Sequence, residues 1–159
     1  MSKTLVAYFS ASGITMKLAE RLATSIRSDI YEIKPAVPYK NADLNWMDKN
    51  SRSSIEMEDH NSRPEIVDDK FSIKEYDTIY LGFPIWWYIA PTIVNTFLEK
   101  HDFSNKRIIL FATSGGSGFG GTVEKLKKSV SESTEIIEGD ILNPNTSEQE
   151  LKTWAESFN

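Results

Sequence analysis

Lys3-Thr4-Leu5-Val6-Ala7-Tyr8-Phe9 runs straight into Ser10-Ala11-Ser12-Gly13-Ile14-Thr15, and the junction of these two stretches decides how the chain is built. The first is an apolar run suited to a buried strand. The second supplies three hydroxyls and one glycine, and beyond it Leu18, Leu22 and Ile26 recur every four residues with Ala19 and Ala23 beside them, the pattern of a helix with one apolar face. A strand that turns into a helix through such a loop collects free backbone N–H groups at the turn, where the helix dipole favours an anion by up to about 2 kcal/mol. The loop contains no Lys or Arg. A nucleoside-triphosphate loop needs a Lys for the outer phosphates, and a dinucleotide loop needs three spaced glycines. Neither is present, so the residues point to a terminal phosphomonoester held by neutral donors.

Outward from this junction, apolar runs alternate with amphipathic patterns along the whole chain, as in a parallel sheet covered on both faces. Thr4 to Phe9 is the first strand. Asp29 to Lys34 is a short, more polar strand expected at an edge and closed by Pro35; Asp77 to Phe83 and Lys106 to Ala112 are apolar enough to be central; Glu135 to Gly139 reads as a fifth. Pro91 suits a first helical turn, and Ile93, Val94, Phe97 and Leu98 form that helix's stripe. Val123, Leu126 and Val130 mark another, and Ser147 with Glu150 makes a capping box for a last helix packed through Leu151, Trp154, Ala155 and Phe158. Five parallel strands in this pattern most often take the order 2-1-3-4-5, which brings together the loops after Phe9, Phe83 and Ala112 at the crevice where strand order reverses.

At 159 residues the chain is expected to be one domain, residues 1–159, burying roughly 70% of its unfolded surface. With no Cys it has neither a thiolate nucleophile nor Cys ligands for zinc or iron–sulfur clusters, so redox chemistry must come from a bound cofactor. A net charge of −5 argues against nucleic acid as a partner. No leader-like or membrane-spanning run is evident, and the expectation is a cytoplasmic protein without membrane insertion; on that reading the sequon at Asn145-Thr146-Ser147 is chance. One region is irregular: Lys40 to Lys70 is polar, with eight acids against five bases. It is long for a connection, so a helix is expected near Asp43 to Glu56, with the segment over the crevice.

The other two crevice loops are as unusual as the first. Gly82-Phe83-Pro84-Ile85-Trp86-Trp87-Tyr88 puts three consecutive aromatics, Trp86 to Tyr88, at the mouth of the sheet, a wall for a flat conjugated ligand. Neighbours on an extended backbone point opposite ways, so one of Trp86 and Trp87 is expected to face a ring and the other to anchor the loop; the sequence leaves open which. Thr113-Ser114-Gly115-Gly116-Ser117-Gly118-Phe119-Gly120-Gly121 has five glycines in nine residues, allowing backbone amides close to a ligand edge. Each loop alone has a plainer reading: a helix cap, core packing or a partner surface, a flexible linker. Their convergence on one crevice favours the ligand.

These three loops, in this order and spacing, resemble the flavodoxin family, and the likeness extends over nearly the whole chain. The resemblance implies a flavodoxin-like α/β three-layer sandwich and noncovalent flavin mononucleotide (FMN), with Ser10, Ser12, Gly13, Ile14, Thr15 and Met16 around the phosphate. Pro84, Ile85, Trp86 and Trp87 would line the isoalloxazine, with Thr113, Ser114, Gly115, Gly116 and Gly118 along its other edge. The chain departs from the family in two places. Flavodoxins usually have Thr-Gly-Asn-Thr where Ser12-Gly13-Ile14-Thr15 stands, and commonly Gly where Tyr88 stands.

A flavin redox protein is therefore expected, and two roles fit it. One is an oxidoreductase taking a hydride from a reduced nicotinamide, or electrons from a reductase, and passing electrons to a quinone-like acceptor, with residues 40–70 as a partial lid. The other is a one-electron carrier docking redox partner proteins through Glu56 to Asp69. The modest net charge weakens the carrier, since steering usually needs a larger single-sign field. No side chain is an obvious acid or base, so none is assigned as catalytic. A third reading, of another class, is a non-redox module binding a protein through Trp86-Trp87-Tyr88. His60 and His101 are expected to be solvated surface residues rather than metal ligands. A serine hydrolase is disfavoured because Ser117 lacks the glycine spacing of a nucleophile elbow, and a phosphorylatable receiver because the first strand ends in serines rather than acids.

Overall fold

The computed structural model describes residues 3–67 and 69–159. It shows five parallel strands in the order β2-β1-β3-β4-β5, namely β1 (Lys3–Tyr8), β2 (Asp29–Glu32), β3 (Tyr76–Pro84), β4 (Arg107–Thr113) and β5 (Glu135–Ile141). Five α-helices connect or follow them: α1 (Ile14–Ile26), α2 (Arg52–Glu58), α3 (Thr92–Lys100), α4 (Thr122–Lys127) and α5 (Glu148–Glu156). The α/β architecture and strand order are those expected from the sequence.

Strand periodicity builds two cores from one sheet. Val6, Tyr8, Tyr80, Ile109 and Phe111 point to one face and pack with Leu18, Leu22, Leu151 and Ala155 of α1 and α5. Their neighbours Leu5, Ala7, Ile79, Leu81, Phe83, Ile108 and Leu110 point to the other, against Ile93, Val94, Phe97 and Leu98 of α3 and Leu126 of α4. Burying a side chain of this kind contributes about 1.5–3 kcal/mol, so continuous apolar strands are worth their loss of polar alternation. α1 closes where Arg27 turns left-handed (φ 55°) and the Ser28 N–H donates to the Ala23 carbonyl at 3.0 Å.

Helix ends account for most differences from expectation. Pro91 precedes α3 in an extended conformation (ψ 145°) instead of entering its first turn. α4 stops at Lys127, leaving Val130 to pack beyond the helix. At α5, Ser147 Oγ accepts from the Glu150 N–H at 3.2 Å and donates to the Glu150 side chain at 3.1 Å, which is half of the capping box.

The segment between β2 and β3 departs furthest. The helix expected near Asp43 to Glu56 is divided: a short 3-10 turn covers Asn41–Leu44, and α2 begins only at Arg52 with Ser51 as its cap. Between them the Asn45 and Asp48 side chains accept from the N–H groups of Met47 (3.2 Å) and Asn50 (2.9 Å), local bonds that compete with a helix. The excursion returns to its starting point. Val67 N–H donates to the Lys34 carbonyl and Ala36 N–H to the Glu65 carbonyl, both at 2.8 Å, with Pro35 and Ile66 bridged antiparallel. Asp68, one of the segment's eight acids, lies outside the described residues. Among the described residues, no helix is long and apolar enough to cross a membrane.

Candidate functional site

β1 has β2 on one side and β3 on the other, so the chain leaves it in opposite directions and opens a crevice at the carboxyl ends. In the loop that follows, Gly13 N–H donates to Ser10 Oγ at 3.1 Å, and Gly13 itself sits at φ +95° with open space where a Cβ would be. A glycine there makes the left-handed turn without strain. α1 then starts with no side-chain cap and no acid in its first turn, and Lys17 N–H is the first to bond back, to the Gly13 carbonyl at 3.2 Å. The N–H groups of Ile14, Thr15 and Met16 therefore lack acceptors within the helix and suit an anion. Thr15 is 2% exposed, and its hydroxyl lies 2.8 Å from that of buried Thr113 at the end of β4. This bond ties the first loop to the third.

After β3 the chain makes a tight hairpin: Trp86 N–H donates to the Ile89 carbonyl at 2.9 Å and Ile89 N–H to the Trp86 carbonyl at 3.1 Å. The two residues at its tip, Trp87 and Tyr88, have φ of 50° and 66°. Two consecutive left-handed residues are the geometry of a type I′ turn, which favours Asn and Gly, so this turn holds strain that its surroundings must offset. Gly120 is one of the groups that brace it. At φ +51° its Cα lies so close that a Cβ would clash with the Tyr88 carbonyl oxygen. The hairpin separates the two tryptophans: Trp86 packs edge-on against Phe9 (5.9 Å) and Tyr39 (5.6 Å), while Trp87 is 44% exposed at the tip. Trp86 is the anchored one.

A cleft of about 520 Å³ opens between this hairpin and the glycine loop, lined by Ile85, Trp86, Trp87, Tyr88 and residues 114–117. Leu44, Trp46 and Ser53 of the excursion form its third wall. Gly115 and Gly116 present bare backbone, with no neighbour near where a Cβ would stand. The excursion is held by a clasp. Arg52 Nε donates to Glu56 at 2.9 Å, its guanidinium carbon lies 3.8 Å from the Tyr39 ring centroid, and its Nη1 donates to the Val37 carbonyl at 2.6 Å. The Tyr39 hydroxyl donates to Glu56, and burial together with that bond pushes the phenol far above its ordinary range, so it remains a donor.

A flavodoxin family model matches residues 3–158 of this chain. The chain belongs to the flavodoxin family. Its fold overlays that of a candidate flavoprotein from Bacteroides uniformis ATCC 8492 with a TM-score of 0.90 and 46% identity over 98% of both chains. A candidate flavoprotein from Bacteroides eggerthii DSM 20697 gives 0.89 and 44% over 99% of this chain and 98% of that one. A flavoprotein from Lactobacillus acidophilus NCFM, solved in complex with FMN, matches at 0.70 with 24% identity over 98% of this chain and 99% of that one. Among curated proteins, none matches the chain.

Of the residues singled out in the sequence, Ile85, Trp86, Trp87, Ser114, Gly115 and Gly116 meet at the cleft. Ser10, Ser12, Gly13, Ile14, Thr15 and Met16 stand outside its lining, on the adjoining loop and first turn of α1, reached through the Thr15–Thr113 bond. Pro84, Thr113 and Gly118 also lie outside the lining; Thr113 accepts the Ile85 N–H at 2.9 Å through its carbonyl and so joins the second loop to the third. Sequence reasoning did not single out Tyr39, Leu44, Trp46 and Ser53. A lone tryptophan in an otherwise polar, charged excursion was the available signal for Trp46. His101 also departs from expectation. It follows α3 and folds back among Phe97 (5.2 Å), Phe71 (5.6 Å) and Phe103 (6.4 Å), with Nε2 buried and burial lowering its pKa, so it is not a solvated residue. His60 is exposed.

Proposed function

We propose that this chain binds FMN at the carboxyl edge of its sheet and acts as an oxidoreductase, passing electrons from a reduced nicotinamide or a reductase to a quinone-like acceptor. The observation that carries this reading is the junction itself: an uncapped helix N-terminus with neutral donors is tied by the Thr15–Thr113 bond to an aromatic and glycine cleft. The FMN complex of the Lactobacillus acidophilus flavoprotein supports it. Ser10, Ser12, Gly13 and the first-turn N–H groups of Ile14, Thr15 and Met16 would hold the phosphate. Trp86 and Trp87 would wall the ring, and the loop from Ser114 to Gly118 would border its edge. Bound flavin supplies hydride and electron transfer; the protein positions it, tunes it and governs access.

Access favours the enzyme over the carrier. The mouth is rimmed by exposed Trp46, Trp87 and Tyr88, a surface suited to a small apolar acceptor. The acids that would dock a partner protein are partly engaged: Glu56 in the clasp, and Asp69 accepting from the Tyr31 hydroxyl at 2.9 Å. Glu58, Asp59 and Glu65 remain exposed and keep the carrier as the second reading. A cytoplasmic setting, with its supply of reduced nicotinamide, suits either role.

The cofactor is tested by FMN titration of wild type and Gly13→Val. Valine at φ +95° is strained by about 1–2 kcal/mol, which a chain with about 5–15 kcal/mol of stability withstands. Displacing one or two N–H donors, each contributing about 1.5–3 kcal/mol to a charged acceptor, should raise the FMN Kd by roughly tenfold to ten-thousandfold. Equal retention by the variant removes the phosphate assignment, and a colourless wild type that takes up no FMN favours the protein-binding module. Anaerobically, reduced nicotinamide should bleach the holoprotein and a quinone should restore its colour. Bleaching that needs a reductase protein favours the carrier.

A further inference from the structure

Beside the flavin cleft lies a second hollow of about 790 Å³, lined by Trp46, Met47, Lys49, Met57 and Trp87 among others. Its size falls within the usual range of small-molecule pockets. Trp46 and Trp87 line both spaces, so the hollow adjoins the cleft. Exposed apolar side chains line it: Trp46 is 66% exposed, Met47 75% and Trp87 44%. Two indoles and two thioethers make a polarisable wall for a flat ring. The wall is also preorganised, by the Asn45 and Asp48 side-chain bonds beneath it and by the Ser51 cap of α2.

The polar groups narrow the chemistry. Among the described residues Lys49 forms no ion pair, leaving its ammonium a donor without a fixed acceptor. Glu58 lines the same hollow. An ammonium and a carboxylate in one small space favour a neutral ligand carrying a hydrogen-bond acceptor over a charged one. We propose that this hollow is the acceptor site of the oxidoreductase read above: a neutral quinone seats its ring against Trp46 and Trp87 and accepts a hydrogen bond from Lys49 through a carbonyl oxygen. Trp46, Met47 and Lys49 then determine which acceptors the protein takes, while the cofactor is held elsewhere.

The test is equilibrium binding of 1,4-naphthoquinone to the oxidised, FMN-loaded protein, where no turnover occurs, read by calorimetry and tryptophan fluorescence. One saturable site is expected. Met47→Asp, at an exposed position outside the flavin cleft, should weaken it at least tenfold and leave the FMN Kd within about twofold. Lys49→Met should weaken it severalfold. No saturable binding, or binding indifferent to Met47→Asp, overturns the proposal. So does self-association of the chain that Met47→Asp abolishes, which would assign the face to a second copy. If FMN itself is not taken up, the cofactor reading fails separately, and the same titration of the FMN-free protein still judges the hollow.

Discussion

Replacing Thr15 by Val removes one of two buried hydroxyls that, among the described residues, bond each other alone, 2.8 Å apart. Thr113 is then left 6% exposed with its oxygen unpaired. An unsatisfied buried hydroxyl costs about 1–3 kcal/mol, and the reciprocal change, Thr113→Val, should cost a similar amount by stranding Thr15. With both replaced, two methyl groups meet where two hydroxyls did, and most of the loss should be recovered. The double variant is therefore expected well short of the sum of about 2–6 kcal/mol, with a coupling of more than half of it. Urea unfolding of the FMN-free protein measures this directly: with a slope of about 2 kcal/mol per molar, each single change should move the midpoint down by roughly 0.5–1.5 M. Additive losses would refute the claim that this bond joins the first loop to the third, and with it the coupling of the two halves of the site.

Tyr88→Gly should stabilise the FMN-free protein. Tyr88 is 62% exposed at φ 66°, so little packing is lost. Relief of about 1–2 kcal/mol of left-handed strain exceeds the roughly 0.5–1 kcal/mol of added chain entropy, which predicts a rise of a few degrees in Tm; a lower Tm would show that the ring's contacts outweigh the turn. Lys125 Nζ is buried with no hydrogen-bond partner among the described residues, and desolvation, aided by Arg63, pushes its pKa down to about 8. The unfolded chain then holds that proton more tightly, so wild-type stability should climb as pH rises from about 8 toward the ordinary lysine value near 10.5. Lys125→Met should flatten that climb and, allowing for solvent screening, add on the order of 1 kcal/mol at neutral pH; denaturation midpoints across this range decide it.

Strand order and the three-loop crevice were legible because they rest on signals that do not depend on tertiary contact: continuous apolar runs, four-residue periodicity and loops of unusual composition. The excursion was not. Helical propensity over residues 43–56 lost to Asn45 and Asp48, whose side chains bond locally, and the Tyr39–Arg52–Glu56 clasp links positions that show no pattern until the chain folds. The tryptophan pair was legible as a wall, but not which ring is held. That depended on Trp87 and Tyr88 adopting left-handed angles, which sequence argues against for aromatic residues. Burial of His101 was hidden because its aromatic neighbours come from separate segments.

The paired backbone at 34–36 and 65–67 is the seam that closes the excursion at its base, and the graft it carries, residues 37–64, is tied to the body again where Tyr39 packs on Phe9 and Trp86, Ser62 bonds Thr92 and Arg63 pairs with Glu99. Between those ties, the length and contents of the graft can drift without disturbing strand register. Because Leu44, Trp46 and Ser53 of the graft also wall the cleft, a change there reaches cofactor contact and access together. A chimera carrying a related protein's graft on this seam should keep its own fold while acquiring the donor's preferences.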